Sequence, residues 1–159
     1  IINDVQGLQG DPDMARIAAD TGAPVIAMHN RDTVDAAFDI MADISEFFVR
    51  TIDIAEKAGI SRDKIVLDPG IGFGKTPEQS MQVLARLAEL TQYGFPILVG
   101  ASRKRFIASV TPSEPEQRLG GSLAAHLLAA LNGAAIIRTH DVYDTVQALR
   151  IASAIEGER

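Results

Sequence analysis

Residues 65–76 read Ile-Val-Leu-Asp-Pro-Gly-Ile-Gly-Phe-Gly-Lys-Thr, and no other segment says more about the fold class. The first three residues are apolar without alternation, which is typical of a strand buried on both faces of a parallel sheet. The run ends in Asp68 and a glycine-rich loop, and Thr76-Pro77-Glu78-Gln79 then has the pattern of a helix start with a capping box. The segment therefore predicts a strand, a loop and a helix, the repeating unit of an α/β protein.

Four further apolar runs end in polar residues in the same way. They span residues 1–2, 24–28, 96–99 and 135–137, and the polar segments 3–4, 29–32, 100–104 and 138–141 follow them. Parallel α/β architectures place their sites at the carboxyl ends of strands, because the loops that follow the strands converge there. We therefore predict one site that is assembled from five strand ends.

The segments between the strands have the apolar spacing of helices. Helices are predicted from Asp11-Pro12 to Thr21, from Ala37 to a stop at Gly59, from Thr76, after Ser113-Glu114-Pro115-Glu116, and from an Asp141 cap. The third is expected to bury Val83, Leu84, Leu87 and Leu90; the fourth Leu119, Leu123, Leu127, Leu128 and Leu131; the last Val142, Val146, Leu149 and Ile155.

The β-α order fits two architectures. An open doubly wound sheet would be complete at 159 residues, whereas a (β/α)₈ barrel needs roughly 250 residues and eight units. Polar clusters at every strand end favour the barrel, because an open sheet concentrates them at one switch point. The chain also opens inside a strand, and an isolated five-strand piece would expose unpaired edges. We expect residues 1–159 to be one domain, an incomplete TIM (β/α)₈ barrel of five parallel β-α units whose N-terminal part is missing.

The composition excludes several classes of function. The chain has no cysteine, which removes disulfides, thiol catalysis and thiolate metal sites and suits a cytoplasmic location. It has no apolar run of about 18 residues, so no membrane span is predicted. The net charge of −6 argues against a nucleic-acid surface. Basic residues concentrated at the strand ends favour a small anionic substrate instead.

The glycine-rich loop resembles two phosphate-binding motifs but matches neither. A Walker A loop needs a glycine where the chain has Pro69, and Lys75 stands where GxGxxG needs its last glycine. We interpret the loop as one that lets the backbone approach a flat ligand, with Phe73 as an apolar contact. Asp68 before it can accept two hydrogen bonds from the amino-amidine edge of a pterin or guanine, or it can cap the loop.

Two further segments carry cations. Within residues 100–104, Gly100 permits close approach, Lys104 can hold a ring carbonyl, and Ser102 or Arg103 can meet a carboxylate, although this run can also be a solvated turn. Arg138 and His140 lie on one face of a strand and form a candidate diphosphate clamp.

The remaining histidines are weaker candidates. His29 fits a hydrogen-bonded structural role, and His126 lies among the leucines of a predicted helix. No HExxH or other ligand spacing is present, so a zinc ion held by the protein is not expected.

Together these motifs resemble dihydropteroate synthase. The matching segments are Ile-Asn-Asp-Val at 2–5, Met-His at 28–29, DPGIGFGK at 68–75, Ser-Arg-Lys at 102–104 and Arg-x-His-Asp-Val at 138–142. They occur in the order and spacing of that family and span the whole chain. The resemblance implies a (β/α)₈ barrel that condenses 6-hydroxymethyl-7,8-dihydropterin diphosphate with p-aminobenzoate in folate biosynthesis. It also implies Mg²⁺ on the substrate diphosphate, with the metal-binding residue of the protein expected in the missing N-terminal part, and a homodimer.

The resemblance assigns a role to each matching residue. Asn3 and Asp68 are expected to bind the polar edge of the pterin, with Met28 packed on its ring unless Met28 belongs to the core. Gly100 allows close approach, and Lys104 contacts the ring carbonyl and a ring nitrogen. Phe73 and Ser102 shape the p-aminobenzoate site, and Arg138 and His140 bind the diphosphate. We expect Lys104, Arg138 and His140 to be the residues on which catalysis depends.

Two alternatives remain at this point. A pterin-dependent methyltransferase barrel would share the pterin clamp but bind a methylated folate, and it would have no pyrophosphate for Arg138 and His140 to hold. A catalytically incomplete pterin-binding fragment is the second alternative, because the first three strands of the family have no counterpart in the chain.

Overall fold

The structure, a computed structural model, describes residues 1–158. Strands and helices alternate along the chain. The strands are β1 (Ile2–Asp4), β2 (Val25–Met28), β3 (Ile65–Asp68), β4 (Leu98–Val99) and β5 (Ile136–Ile137). The helices are α1 (Met14–Thr21), α2 (Ile40–Ala58), α3 (Pro77–Ala85), α4 (Arg105–Val110), α5 (Leu119–Leu131) and α6 (Val142–Glu156). Short 3₁₀ turns cover Arg62–Lys64, Leu87–Tyr93 and Pro115–Gln117.

All strand pairs are parallel, and paired strands are consecutive in the chain. β1, β2 and β3 form one sheet, β4 and β5 form another, and a parallel bridge between Leu67 and Ile97 joins the two. The register places Met28 opposite Asp68 at the ends of β2 and β3. The α/β class with parallel strands is therefore confirmed. Among the described strands, the order has no reversal of the kind that creates the switch point of a doubly wound sheet.

The centre of the core lies on β2 and β3. Val25, Ile65 and Leu67 have no exposed surface, and they belong to the same hydrophobic cluster as the fully buried Phe48 of α2. Burying a side chain of this size contributes about 1.5–3 kcal/mol to stability. The two strands whose ends carry Met28 and Asp68 are therefore anchored in the core.

Helix boundaries follow the capping residues in the sequence. The Asp39 side chain accepts hydrogen bonds from the first turn of α2, and Gly59 ends that helix in the left-handed conformation. The capping box between Thr76 and Gln79 is confirmed at the start of α3. This box fixes the point at which the glycine-rich loop turns into helix.

The third predicted helix is shorter than its apolar stripe suggests. α3 ends at Ala85, and a 3₁₀ turn follows it. Leu87 and Leu90 are still fully buried, but they reach the core from that turn.

The predicted leucine stripe of α5 is wrong. The buried residues of α5 are Ser122, Ala125, His126 and Ala129, whereas Leu128 and Leu131 are 58% and 59% exposed. Small side chains allow a helix to approach its neighbours closely, so this helix packs through its serine and alanines. The leucines lie on one half of the helix, and the opposite half, with Ser122, Ala125, His126 and Ala129, is the one that faces the core.

The last helix also departs from its predicted stripe. Thr145 is its one buried residue among those described, and Val142, Val146 and Ile155 are exposed. Asp141 does not cap the helix through its side chain, because its carboxylate pairs with the Arg103 guanidinium instead. Both helices thus keep apolar side chains at the surface of the described chain.

The capping box gives a test of the link between sequence and fold. Thr76→Ala removes the hydroxyl that accepts the Gln79 N–H, and we expect a loss of about 1 kcal/mol in the free energy of unfolding. Urea denaturation measures the loss. Thr33→Ala, at an exposed loop threonine, is the matched control. Equal urea midpoints for the two variants would contradict the role of the box.

Candidate functional site

The carboxyl ends of the strands meet, and side chains from three of them are in contact. Asn3 lies in β1, Asp68 ends β3, and Arg138 directly follows β5. One guanidinium nitrogen of Arg138 lies 3.1 Å from Asn3 Oδ1 and the other lies 3.1 Å from Asp68 Oδ2. The structure therefore brings together residues that are more than 130 positions apart, as the strand-end pattern predicts.

Asp68 is a carboxylate with almost no contact with solvent. It is 1% exposed, and its second oxygen, Oδ1, accepts the Gly70 N–H at 2.8 Å. Burial raises the pKa of Asp68 above its ordinary value, while the Gly70 N–H and the charges of Arg138 and Lys104 oppose the rise. A buried carboxylate of this kind needs hydrogen-bond donors on both oxygens. The Gly70 N–H supplies one donor and the Arg138 guanidinium supplies the other.

Gly100 gives the Arg138 side chain its path across the sheet. A Cβ atom added at Gly100 would lie 3.1 Å from Nε and from one terminal nitrogen of Arg138. That distance is shorter than an ordinary van der Waals contact, so a larger residue would push the guanidinium aside. The predicted close-approach glycine therefore serves an arginine in the described structure.

Lys104, which follows β4, is in contact with Phe73 of the glycine-rich loop. The Lys104 ammonium lies 4.1 Å from the centroid of the Phe73 ring, a cation–π contact. Partial burial lowers the pKa of Lys104, and the negative charge of Asp68 opposes that effect. Gly70 keeps this loop close to β2, because its φ is +65° and an added Cβ would lie 2.0 Å from the His29 carbonyl oxygen.

Lys75 anchors the loop from within. Its buried Nζ lies 3.0 Å from the Gly70 carbonyl, 3.1 Å from the Phe73 carbonyl and 2.7 Å from His29 Nδ1. The three acceptors match the three protons of an ammonium group. Burial lowers the pKa of Lys75 to about 7, against the opposing charges of Asp68 and Asp43.

His29 continues this network into helix α2. Its Nε2 lies 3.0 Å from Asp43 Oδ2, which also pairs with Arg31 at 3.1 Å. Because Nδ1 accepts from Lys75, the network assigns the ring proton to Nε2. Burial, reinforced by the positive charge of Lys75, lowers the pKa of His29 to about 4. His29 thus has the hydrogen-bonded structural role that the sequence suggested.

Sequence reasoning missed the positions of Lys75 and Asp43 in this network. In the sequence, Lys75 stands out only as the residue that breaks the GxGxxG pattern, and Asp43 belongs to no motif. A lysine that directly follows a loop of three glycines was the one available signal, because such a loop exposes carbonyl groups that need donors.

Ser102 and His140 form a second pair. The Ser102 hydroxyl is buried, accepts the His140 backbone N–H at 3.2 Å and lies 2.8 Å from His140 Nδ1. The Ser102 hydroxyl can donate its own proton to Nδ1 while it accepts the backbone N–H, and in that arrangement the ring proton of His140 is on Nε2. Beside this pair, Arg103 has a φ of +56° and forms two hydrogen bonds with Asp141. Because Arg103 has this left-handed conformation, the backbone turns between Ser102 and Lys104.

The other two candidates lie inside the fold. Met28 is 1% exposed and lies beside Asp68 in the sheet register, so the pterin contact suggested for it stays a prediction. His126 is also 1% exposed, and its ring nitrogens have no hydrogen-bond partner among residues 1–158. Burial lowers the pKa of His126, which favours the neutral ring.

Residues 1–158 have neither a cluster suited to a metal ion nor a helix suited to a membrane span. No group of three or more acidic or histidine side chains within residues 1–158 has a metal-binding arrangement. No helix in the same range is long and apolar enough to span a membrane.

Comparison with known proteins gives consistent results. The profile of a family described as "Pterin binding enzyme" matches residues 1–140. The dihydropteroate synthase of Escherichia coli K12 is 44% identical over 97% of the chain, and that of Bacillus subtilis is 37% identical over 98%. The chain covers 56% and 54% of these two proteins, so it spans little more than half the length of the curated relatives it matches.

Solved structures agree with the sequence relatives. A Clostridium difficile dihydropteroate synthase, crystallised with pteroic acid, is 46% identical with a TM-score of 0.92, over 96% of the chain and 58% of that protein. A Xanthomonas albilineans dihydropteroate synthase with 4-aminobenzoic acid is 45% identical with a TM-score of 0.93, over 98% of the chain and 57% of that protein. The resemblance identified from the motifs is therefore confirmed.

His29 makes the stability of the fold depend on pH. Its pKa is about 4 in the native chain, against 6.5 as the ordinary value. Between these two values the unfolded chain binds a proton that the native chain does not, so acid favours unfolding. We expect the free energy of unfolding to fall as the pH drops from 6.5 towards 4, by on the order of 3 kcal/mol. Urea denaturation across this range measures the loss.

His29→Gln removes the titrating ring, so the variant should show a shallower fall over the same pH range. Thr33→Ala, at an exposed loop threonine that does not titrate, is the control and should follow the wild type. A His29→Gln curve parallel to the wild-type curve would contradict the account of this network.

Proposed function

Because the chain belongs to the pterin-binding enzyme family, we propose that it forms the part of a dihydropteroate synthase that holds the pterin and its diphosphate. The reaction joins 6-hydroxymethyl-7,8-dihydropterin diphosphate to p-aminobenzoate and gives 7,8-dihydropteroate and pyrophosphate. The observation that carries the proposal is the buried Asp68 carboxylate, with Asn3 and Arg138 beside it at the ends of parallel strands.

The pterin edge is assigned to Asp68 and Asn3. An amino-amidine edge offers parallel N–H donors, and a carboxylate in a water-poor setting is a strong acceptor for them. The amide of Asn3 adds both an acceptor and a donor. Met28, at the end of β2, is the proposed packing contact for the ring.

The far edge of the pterin and the second substrate are assigned to the loop and the lysine. Lys104, near Asp68 and over Phe73, is placed to donate to the ring carbonyl and a ring nitrogen. Phe73 and Ser102 are proposed to shape the p-aminobenzoate site. Gly100 keeps the intervening backbone close to the ligands.

The leaving group is assigned to Arg138 and His140. Arg138 can grip phosphate oxygens with two parallel donors, and His140 presents Nε2–H as a third. These donors stabilise the negative charge that grows on the diphosphate as its bond to the methylene carbon breaks.

The chemical step needs little acid–base help from the protein. The electron-rich dihydropterin stabilises positive charge on its exocyclic methylene, so the C–O bond can break ahead of amine attack, and its electron pair leaves with the diphosphate. The amine of p-aminobenzoate then forms the C–N bond and loses a proton. The chain contributes orientation, charge stabilisation and exclusion of water, which are roles that anion binders such as Arg138 and His140 can supply.

The architecture proposed for this function is a (β/α)₈ barrel to which residues 1–159 contribute the five C-terminal β-α units as one pterin-binding domain. Two observations support it. The described strands are parallel and in chain order, and β1 and β5 each pair on one side only. The chain also matches 58% of the Clostridium difficile structure at a TM-score of 0.92.

Magnesium belongs to the proposal only through the substrate. The described residues offer no cluster that holds a metal, so they do not fit a metal site of their own, and we assign Mg²⁺ to the diphosphate oxygens. We further propose a cytoplasmic location, which suits a cysteine-free chain, and small molecules as its substrates.

A homodimer completes the proposal. The exposed Leu128 and Leu131 of α5 support it, as does an apolar groove of about 630 Å³ between α3, α4 and α5. Phe106 and Leu84 line that groove. Exposed apolar surface of this extent is typical of a surface that another element or subunit covers.

Turnover tests the proposed function directly. In a chimera where the chain replaces the matching part of the Escherichia coli relative, we expect pyrophosphate release only when both substrates are present. Asp68→Asn should lower the affinity for the pterin diphosphate by roughly 10- to 100-fold, because the amide replaces an acceptor with a donor. A pyrophosphate assay and calorimetry measure the two quantities.

Asp63→Asn, at an exposed aspartate that precedes the start of β3 and so lies at the opposite end of that strand from Asp68, is the control and should leave both quantities unchanged. The 159-residue chain is assayed in parallel. Pterin binding without turnover in the chimera would support a binding fragment, and unchanged pterin affinity in Asp68→Asn would refute the clamp.

A further inference from the structure

Arg138 occupies the acceptors that the proposed function assigns to the pterin. Its two terminal nitrogens lie 3.1 Å from Asn3 Oδ1 and 3.1 Å from Asp68 Oδ2. Both donors belong to one planar N–C–N unit. The amino-amidine edge of a pterin is also a planar N–C–N unit with N–H donors. The guanidinium and the pterin therefore compete for the same two side chains.

Burial shows that one of the two must leave. Asp68 is 1% exposed, so a ligand cannot contact its carboxylate until a covering group moves. The Gly70 N–H on the other oxygen belongs to a loop that Lys75 holds in place. The Arg138 side chain is 44% exposed and follows a strand of two residues, so it is the group that can swing away.

A displaced guanidinium loses two partners and needs another anion. A pterin without phosphates offers none, whereas a pterin diphosphate supplies phosphate oxygens that suit the same fork of donors. Arg138 therefore weakens the binding of a pterin without phosphates and strengthens the binding of a pterin diphosphate. Competition of this kind discriminates between ligands in two ways, because every pterin must break the contact of Arg138 with Asp68 and only the diphosphate gives Arg138 a new partner.

We propose that Arg138 is a specificity-determining residue, which blocks the pterin subsite against pterins that carry no diphosphate and opens it for those that do. This inference rests on the proposed function. It adds a role in the free enzyme to the diphosphate contact already assigned to Arg138, and it predicts effects of opposite sign for two ligands.

The test is calorimetry on the 159-residue chain with 6-hydroxymethyl-7,8-dihydropterin and with its diphosphate. Arg138→Met removes the guanidinium and keeps an unbranched apolar stem. We expect the variant to bind the unphosphorylated pterin about three- to fivefold more tightly, since breaking a half-exposed ion pair is no longer part of binding. It should bind the diphosphate about tenfold or more weakly, because charge-assisted hydrogen bonds are lost.

Arg86→Met is the matched control. Arg86 is exposed to a similar degree, forms two side-chain hydrogen bonds as Arg138 does, here both with the carboxylate of Glu89, and lies on the segment after α3. The Arg86→Met substitution removes the same charge and should change neither the affinity for the unphosphorylated pterin nor that for its diphosphate. Thermal unfolding of both variants checks that the fold is retained, and Arg138→Lys, which keeps the charge but loses the fork, replaces Arg138→Met if that variant unfolds.

A second measurement needs no variant. Pyrophosphate should draw Arg138 away from Asp68, so wild-type chain should bind the unphosphorylated pterin more tightly when pyrophosphate is present. Absence of this coupling, or unphosphorylated-pterin affinity that is unchanged or weaker in Arg138→Met, would overturn the inference while leaving the proposed function intact. Wild-type chain that binds neither pterin would instead count against the proposed function.

Discussion

A buried carboxylate at the end of β3 is the constraint on which the site depends. Asp68 is 1% exposed, and an ionised carboxylate in that position is tolerated only when donors satisfy it. One donor is the Gly70 N–H two residues further on, and the other is Arg138, seventy residues along the chain. This second contact joins the sheet of β1 to β3 to the sheet of β4 and β5. The ends of β1, β3 and β5 must therefore lie close together for these contacts to form.

The site combines a part that is held and a part that can move. The glycine-rich loop is held by the Lys75 ammonium, which His29 and Asp43 support from β2 and α2. Arg138 is half-exposed and held by two side-chain contacts. A rigid acceptor with a movable cover is the arrangement expected where ligand binding is coupled to the choice of ligand. The same arrangement explains why a strongly desolvated carboxylate can be kept in a protein before any substrate binds.

Local signals in the sequence predicted the parts of the fold that are set locally. Unbroken apolar runs identified the strands, and the Thr76-Gln79 pair identified a helix start, because a capping box involves only four neighbouring residues. The approach of Asn3, Asp68 and Arg138 was also within reach, since parallel strands bring their carboxyl ends together. The family resemblance rested on these same strand-end motifs, and the relatives confirm it.

Features set by tertiary packing could not be predicted in this way. Nothing in the leucine spacing of α5 indicates that Ala125 and Ala129 face the core. Asp141 lies where a helix cap is expected from the sequence. Its carboxylate instead forms two charge-assisted hydrogen bonds with Arg103, which is close in space but distant in the chain. The pairing of Lys75 with His29 likewise depends on how two loops approach each other. In each case the decisive partner lies far away in the sequence.

A crystal structure of the chain with 6-hydroxymethyl-7,8-dihydropterin diphosphate tests the central claim most directly. The account predicts that the amino-amidine edge of the pterin lies within hydrogen-bond distance of Asp68 and Asn3, with the Arg138 guanidinium moved onto the diphosphate. A ligand bound elsewhere, such as in the apolar groove between α3, α4 and α5, with the contact between Arg138 and Asp68 still in place, would contradict it.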